Sequence, residues 1–203
     1  MIKAVCFDFG GVYKRHSHGQ HTWKDMWKDK QNEIDVRFPY KIFIELQHKL
    51  DTGKISLSGY HIELFKRIGK KSSQEEIKKH SKYIMHKSIL EPRIGKLVLR
   101  LKKKGYAVPL VSNTIKPHAM QHKKKGSYEI FSPVFLSCDV GLSKSDGSIF
   151  PFVSKKMGLK PEECLMIDDN PNYLKMARKH RWKTILYRNP RQLEHELKNI
   201  KVL

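Results

Sequence analysis

The sequence has 203 residues, 39% of them hydrophobic and 30% charged, which suits one buried core, alone or with a smaller insert, and no apolar run approaches a membrane span. Lys and Arg number 41 against 20 Asp and Glu, a net of +21 that attracts phosphate-rich partners through long-range electrostatics. Asp8 comes too early for a signal peptide, and Cys6, Cys138 and Cys164 lack metal-ligand spacing, so the chain reads as cytoplasmic with buried, reduced thiols.

The first element is a strand. In "VCFDFGGVY" an apolar run stops at Asp8 and loosens into Gly10 and Gly11, a common setting for a chemically active carboxylate. From residue 14 to residue 90 the period becomes helical. "YKIFIELQHKL" sets Ile42, Leu46 and either Lys49 or Leu50 on one face, and "LDTGKIS" interrupts it with a glycine. "SGYHIELFKRIGKKS" predicts a second helix ending near Gly69, and Ser73 with Glu76 has the spacing of a capping box that opens a third. No strand is read in this stretch, so residues 14–90 are expected to form an all-helical insert and 1–13 with 91–203 the main domain.

Beyond Pro92, helices and strands alternate. "RIGKLVLRLKKKG", "IKPHAMQHKKKG", "GSIFPFVSKKMG" and "NYLKMARKH" read as helices; "YAVPLVSN", "PVFLS", "ECLMIDD" and "KTILY" read as strands. This alternation predicts an α/β fold, a parallel sheet covered by helices on both faces, with ligands bound beyond the carboxyl ends of its strands. Residues 92–128 carry ten basic side chains and no acid, but with neither the interleaved aromatics of a single-strand-binding surface nor a nucleic-acid motif. Any nucleic-acid binding is therefore expected to be weak and non-specific.

The polar residues sit where the strands end: Asp8 after the first, Ser112 and Asn113 after "AVPLV", Asp168 and Asp169 after "CLMI". Lys144 lies in a glycine-containing connection, "VGLSKSDG". Three carboxylates gathered at one sheet edge repel one another unless a cation neutralises them, and an all-oxygen set favours Mg²⁺. A serine, a lysine and helix-start amides beside that metal make a site for a phosphoryl group.

The segments "FDFGGV", "LVSNT", "GLSKSDGSIF" and "PEECLMIDDNPN" together resemble the haloacid dehalogenase-like hydrolase superfamily, over the whole chain, with the helical insert in the place of that family's cap. The resemblance implies a Rossmann-like core and Mg²⁺-dependent transfer of a phosphoryl group from a small phosphorylated substrate. Asp8 becomes the nucleophile, forming an aspartyl-phosphate. Ser112, the Asn113 amide and Lys144 contact the phosphoryl oxygens. Asp8, the Gly10 carbonyl and Asp169 bind Mg²⁺, with Asp168 acting through a water.

Three positions depart from that pattern. Gly10 stands where a second aspartate, the general acid and base, is usual, although one subgroup of the family has the same glycine. Ser145 replaces a proline and is expected to loosen its turn, and Tyr173 replaces an asparagine, with Asn172 adjacent. The dehalogenating branch also lacks the second aspartate, but it needs no Mg²⁺, which the Asp168–Asp169 pair argues against. Three functions stay open: a small-molecule phosphatase, a binding protein that has lost turnover, and a phosphohydrolase or binder directed at nucleic acid. His16, His18 and His21 are read as a solvated stretch with an alternative role toward substrate, and Trp23 with Trp27 as core packing.

Overall fold

In β1 (Ala4–Phe7) all four residues are buried, because both faces of the strand are covered. Val5 and Phe7 pack into one apolar cluster, Ala4 and Cys6 into another. The same alternation runs through β4 (Leu110–Ser112), where Leu110 and Val111 part company, and through β6 (Cys164–Asp168), where Leu165 and Ile167 oppose Cys164 and Met166. Uninterrupted apolar strands of this kind belong to parallel sheets buried on both sides. With β5 (Val134–Leu136) and β7 (Lys183–Leu186) they form a five-stranded sheet in the order β5-β4-β1-β6-β7, each pairing parallel. The computed structural model describes residues 1–15, 40–69, 73–75 and 89–203.

Helices complete the two outer layers. α3 (Pro92–Lys103) inserts Ile94, Leu97, Val98 and Leu101 into the first cluster. The second is closed by Ile149, Phe150 and Val153 of α6 (Ile149–Lys156) and by Leu174 and Ala177 of α7 (Pro171–Lys179). α4 (Lys116–Lys124) contributes Ala119 to the first, and a single turn, α5 (Ser137–Val140), follows β5. The expected α/β core is thus present, with its strands and helices where the alternation placed them. A last helix, α8 (Pro190–Asn199), adds to it, capped by Asn189 and packed on the first cluster through Leu193 and Leu197. The three cysteines are buried and free.

In the insert, α1 (Tyr40–Asp51) buries Leu46 and Leu50 on the face expected of it, and α2 (Leu57–Arg67) runs back after a turn at Gly53, whose φ of +69° suits glycine. Leu46, Leu50, Tyr60 and Leu64 form a third cluster that includes Ile115 at the start of α4, which ties the hairpin to the core. One expectation needs correcting. The stretch read as wholly helical has a short strand at each edge, β2 (Lys14–Arg15) and β3 (Ile89–Leu90), paired antiparallel where the chain leaves the core and returns. Two residues are too few to show a period-2 pattern. Arg15 also pairs with the buried Glu91, which caps α3. The capping box at Ser73 and Glu76 extends outside the described residues, and so do His16, His18, His21, Trp23 and Trp27. Among the described residues, no helix is long and apolar enough to cross a membrane.

Candidate active site

Sheet order explains the gathering of acids. β1 lies at the centre, with β4 on one side and β6 on the other, so the crevice at the carboxyl end of β1 is the topological switch point. Phe7 is in register with Ile167, which brings Asp8 level with Asp168; the Asp8 N–H donates to the Ile167 carbonyl at 2.9 Å. Carboxylate oxygens of Asp8, Asp168 and Asp169 all lie within 4.8 Å of one another. The cap of α7 is Asn170, which accepts from Asn172 N–H, so neither acid of the Asp168–Asp169 pair serves as the helix cap.

Lys144 reaches between two of these acids. Its Nζ donates to Asp8 Oδ1 at 2.7 Å and to Asp168 Oδ2 at 2.5 Å, and the side chain is 1% exposed. Asn113 aims it: Oδ1 accepts from the Lys144 N–H at 2.9 Å, and Nδ2 donates to Ser143 Oγ at 2.8 Å. Where Ser145 is expected to loosen the turn, the structure shows a set of hydrogen bonds that oppose loosening. Ser145 Oγ meets Ser143 Oγ at 2.6 Å, the Ser145 N–H donates to that same hydroxyl, and Asp146 accepts from Ser148, so hydrogen bonds stiffen the loop in place of a proline. His48 of α1 meets Asp146 at 2.8 Å, fastening the hairpin to this loop. Tyr173, the third departure, places its ring 4.9 Å from Lys144 Nζ, a cation–π contact.

The charges decide what this edge can hold. Burial pushes the Asp8 carboxyl up to about 7, Lys144 opposes the shift, and Asp168 and Asp169 add to it. At Lys144 burial favours the neutral amine, but the attraction of Asp168 and Asp8 outweighs it and the ammonium is held above its ordinary range. With all three acids ionised, three carboxylates against one ammonium would leave two negative charges, all on oxygen, and the raised Asp8 carboxyl relieves part of that excess by holding its proton. A divalent cation that prefers oxygen, of the class that includes Mg²⁺, fits that deficit.

Glycine is needed at one position of the first motif and not at the other. Gly11 has φ +81°, and a Cβ there would fall 2.0 Å from Asp169 Oδ2; at Gly10 no atom lies within 4 Å of a built Cβ. Gly11→Ala should therefore cost about 1–2 kcal/mol of stability and swing Asp169 aside, while Gly10→Ala should be nearly neutral. Urea unfolding of the two variants checks this. Lys144→Met should be more severe, about 3–5 kcal/mol, because it strands two buried carboxylates without their counter-charge; a midpoint shift within 1 M urea of the wild type, about 1–3 kcal/mol on the usual slope, would contradict that size.

A cavity of about 160 Å³ opens beside these residues, lined by Gly10, Ser112 and Asn113 of the core and by Lys14, Gln47, Asp51, His118 and His122. A second, of about 490 Å³, lies under α1 between Gln47, His48, Asp51, Ser145 and Tyr173. Asp8, Gly10, Ser112, Asn113, Lys144, Asp168 and Asp169 are thus brought to one sheet edge. Lys14, Gln47, Asp51, His118 and His122 are the residues that sequence reasoning missed. A faint signal existed: Gln47 and Asp51 stand four apart, beside the Leu46–Leu50 stripe.

A family model described as haloacid dehalogenase-like hydrolase matches residues 2–181. A D-ribitol-5-phosphate phosphatase of Bacteroides thetaiotaomicron is 27% identical over 208 residues, covering 97% of either chain. A phosphoserine phosphatase of Thermus thermophilus is 31% identical over 84 residues, 40% of this chain and 33% of that protein. Among solved structures, a family enzyme of Bacteroides thetaiotaomicron in complex with magnesium and inorganic phosphate superposes with a TM-score of 0.67 at 22% identity, over 93% of this chain and 95% of that one. That likeness bears on fold alone. The family model spans most of the chain, including all four strand-end segments, and the chain belongs to the haloacid dehalogenase-like hydrolase family.

Proposed function

We propose that this chain is a Mg²⁺-dependent phosphatase of small phosphorylated metabolites, acting through an aspartyl-phosphate on Asp8. The observation that carries the reading is the Asp8–Lys144–Asp168 contact with Asp169 within reach: a buried carboxylate at the sheet's switch point, beside a cation and a deficit of positive charge. Two relatives named as phosphatases of small phosphorylated molecules support it. In this reading residues 1–13 and 91–203 form the core, residues 14–90 the cap, and the glycine of the "DFGGV" motif marks the subgroup.

Asp8, the Gly10 carbonyl and Asp169 would hold the metal, with Asp168 through a water. Bound Mg²⁺ supplies a positive charge that neutralises phosphoryl oxygens and keeps Asp8 ionised. Ser112 and the Asn113 amide bind the phosphoryl group while Lys144 offsets its charge. A carboxylate oxygen of Asp8 then forms a bond to phosphorus as the bond to the substrate's oxygen breaks, the electron pair leaving with that oxygen. Water hydrolyses the acyl phosphate and restores Asp8. Such transfer depends chiefly on positioning and charge neutralisation.

One observation favours a second reading. Gly10 offers no acid for the departing oxygen, as expected of a binding protein that keeps the metal site without turnover. A hydrolysis screen over phosphorylated metabolites, with Mg²⁺ and with EDTA, separates the two. Metal-dependent release of phosphate is expected; metal and phosphate binding without release would establish the binding protein. Asp169→Ala should lose Mg²⁺ affinity in calorimetry, and unchanged affinity would move the metal elsewhere.

A further inference from the structure

The small cavity joins the proposed phosphate seat to the helical hairpin. Ser112, Asn113 and Gly10 form one wall, and Gln47 and Asp51 of α1 form the other. Gln47 Nε2 donates to Asp51 Oδ1 at 2.8 Å, which fixes the orientation of the amide. Its Oε1 is then buried with no hydrogen-bond partner among the described residues. A buried acceptor left unpaired carries a desolvation cost that an incoming donor removes.

We propose that Gln47 and Asp51 read hydroxyl groups on the part of the substrate beyond its phosphate, making this site selective for phosphorylated polyols and sugars. The inference rests on the phosphatase reading for its phosphate seat. Neighbouring hydroxyls of one polyol satisfy both acceptors, one donating to Gln47 Oε1 and the next to the Asp51 carboxylate. Burial raises the Asp51 carboxyl to about 6, with Gln47, His48 and Lys144 opposing the rise, so a neutral polar partner suits it better than in open water. An ammonium group is the other donor able to satisfy Gln47. The surroundings disfavour it: Lys14 lines the same cavity, Lys54 the neighbouring one, and Glu45, the other acid there, already pairs with Lys49 and Arg67. A volume of about 160 Å³ suits a short chain better than a nucleoside.

The test measures binding by calorimetry with Mg²⁺ in the full chain carrying Asp8→Asn, which blocks turnover. Ribitol 5-phosphate should bind about tenfold tighter than ethyl phosphate, the same anion without hydroxyls, because one good hydrogen bond to a desolvated acceptor is worth about that factor. Adding Gln47→Leu should bring this ratio toward unity, and adding Asp51→Ala should lower it as well. Equal binding of the two ligands, or a ratio that survives both substitutions, would overturn the inference and leave the phosphatase reading standing. Tighter binding of phosphoserine than of ribitol 5-phosphate would overturn it in favour of an amine. Failure of all three to bind, together with failure of the wild type to bind inorganic phosphate with Mg²⁺, would remove the phosphate seat, and with it both readings.

Discussion

Asp8→Asn is expected to lower Mg²⁺-dependent hydrolysis by a factor on the order of 10⁴ or more while leaving the chain folded. The amide has the shape of the carboxylate but supplies no anionic oxygen to attack phosphorus. It also withdraws one of the three charges offered to the metal. The scaffold survives because Lys144 keeps Asp168 as its partner. Metal-free stability should even improve above neutral pH. Burial raises Asp8 from 3.8 to about 7, so the folded chain holds a proton that the unfolded chain has released. Stability from this group is complete below about pH 4 and is lost as pH rises toward 7. Asparagine removes that loss. Initial rates with Mg²⁺, and urea unfolding in EDTA at pH 5 and pH 8, test both halves of the prediction. Retained activity would end the covalent route.

The core site could be read in the sequence because its residues, Lys144 apart, lie at or just past the end of an apolar strand, and strand ends of a parallel sheet converge by topology. Asp8, Ser112 and Asp168 needed only the alternation of strands and helices to be placed together. What the sequence could not show is how side chains share partners. The family resemblance speaks to the Asn113 amide and is silent on its side chain, which holds the Lys144 loop in a contact across 31 positions of sequence. Ser145 looked like a weakened turn because the hydroxyl of Ser143 that braces it is a matter of loop geometry. Gln47 and Asp51 were hidden for another reason. Polar residues beside a helix's apolar stripe look solvated until the surface opposite is known, and here that surface carries Ser112 and Asn113, the proposed phosphate seat.

Gly10→Asp is the second large effect expected, and its size should depend on the leaving group. A well-placed general acid contributes about 10²- to 10⁴-fold by protonating an oxygen that otherwise departs as a poor anion. The wild type lacks a side chain at position 10, so it should turn over aryl and acyl phosphates, whose leaving groups need little protonation, faster than simple alkyl phosphates. Position 10 can accept the missing carboxyl: no atom lies within 4 Å of a built Cβ there, and its backbone, unlike that of Gly11, is outside the left-handed region. Lys14, on the same cavity wall, offsets the added charge. Gly10→Asp should therefore speed hydrolysis of an alkyl phosphate by about 10²-fold or more and change an aryl phosphate by much less, narrowing the gap between them. The two substrates are compared in wild type and variant at saturating Mg²⁺. An equal gain on both would mean that the new carboxylate acts after the leaving group has gone, on the water that attacks the aspartyl-phosphate. Absence of turnover in both proteins, with Mg²⁺ bound, would mean that Asp8 is not a nucleophile here, and the chain would then be a binding protein built on a hydrolase fold.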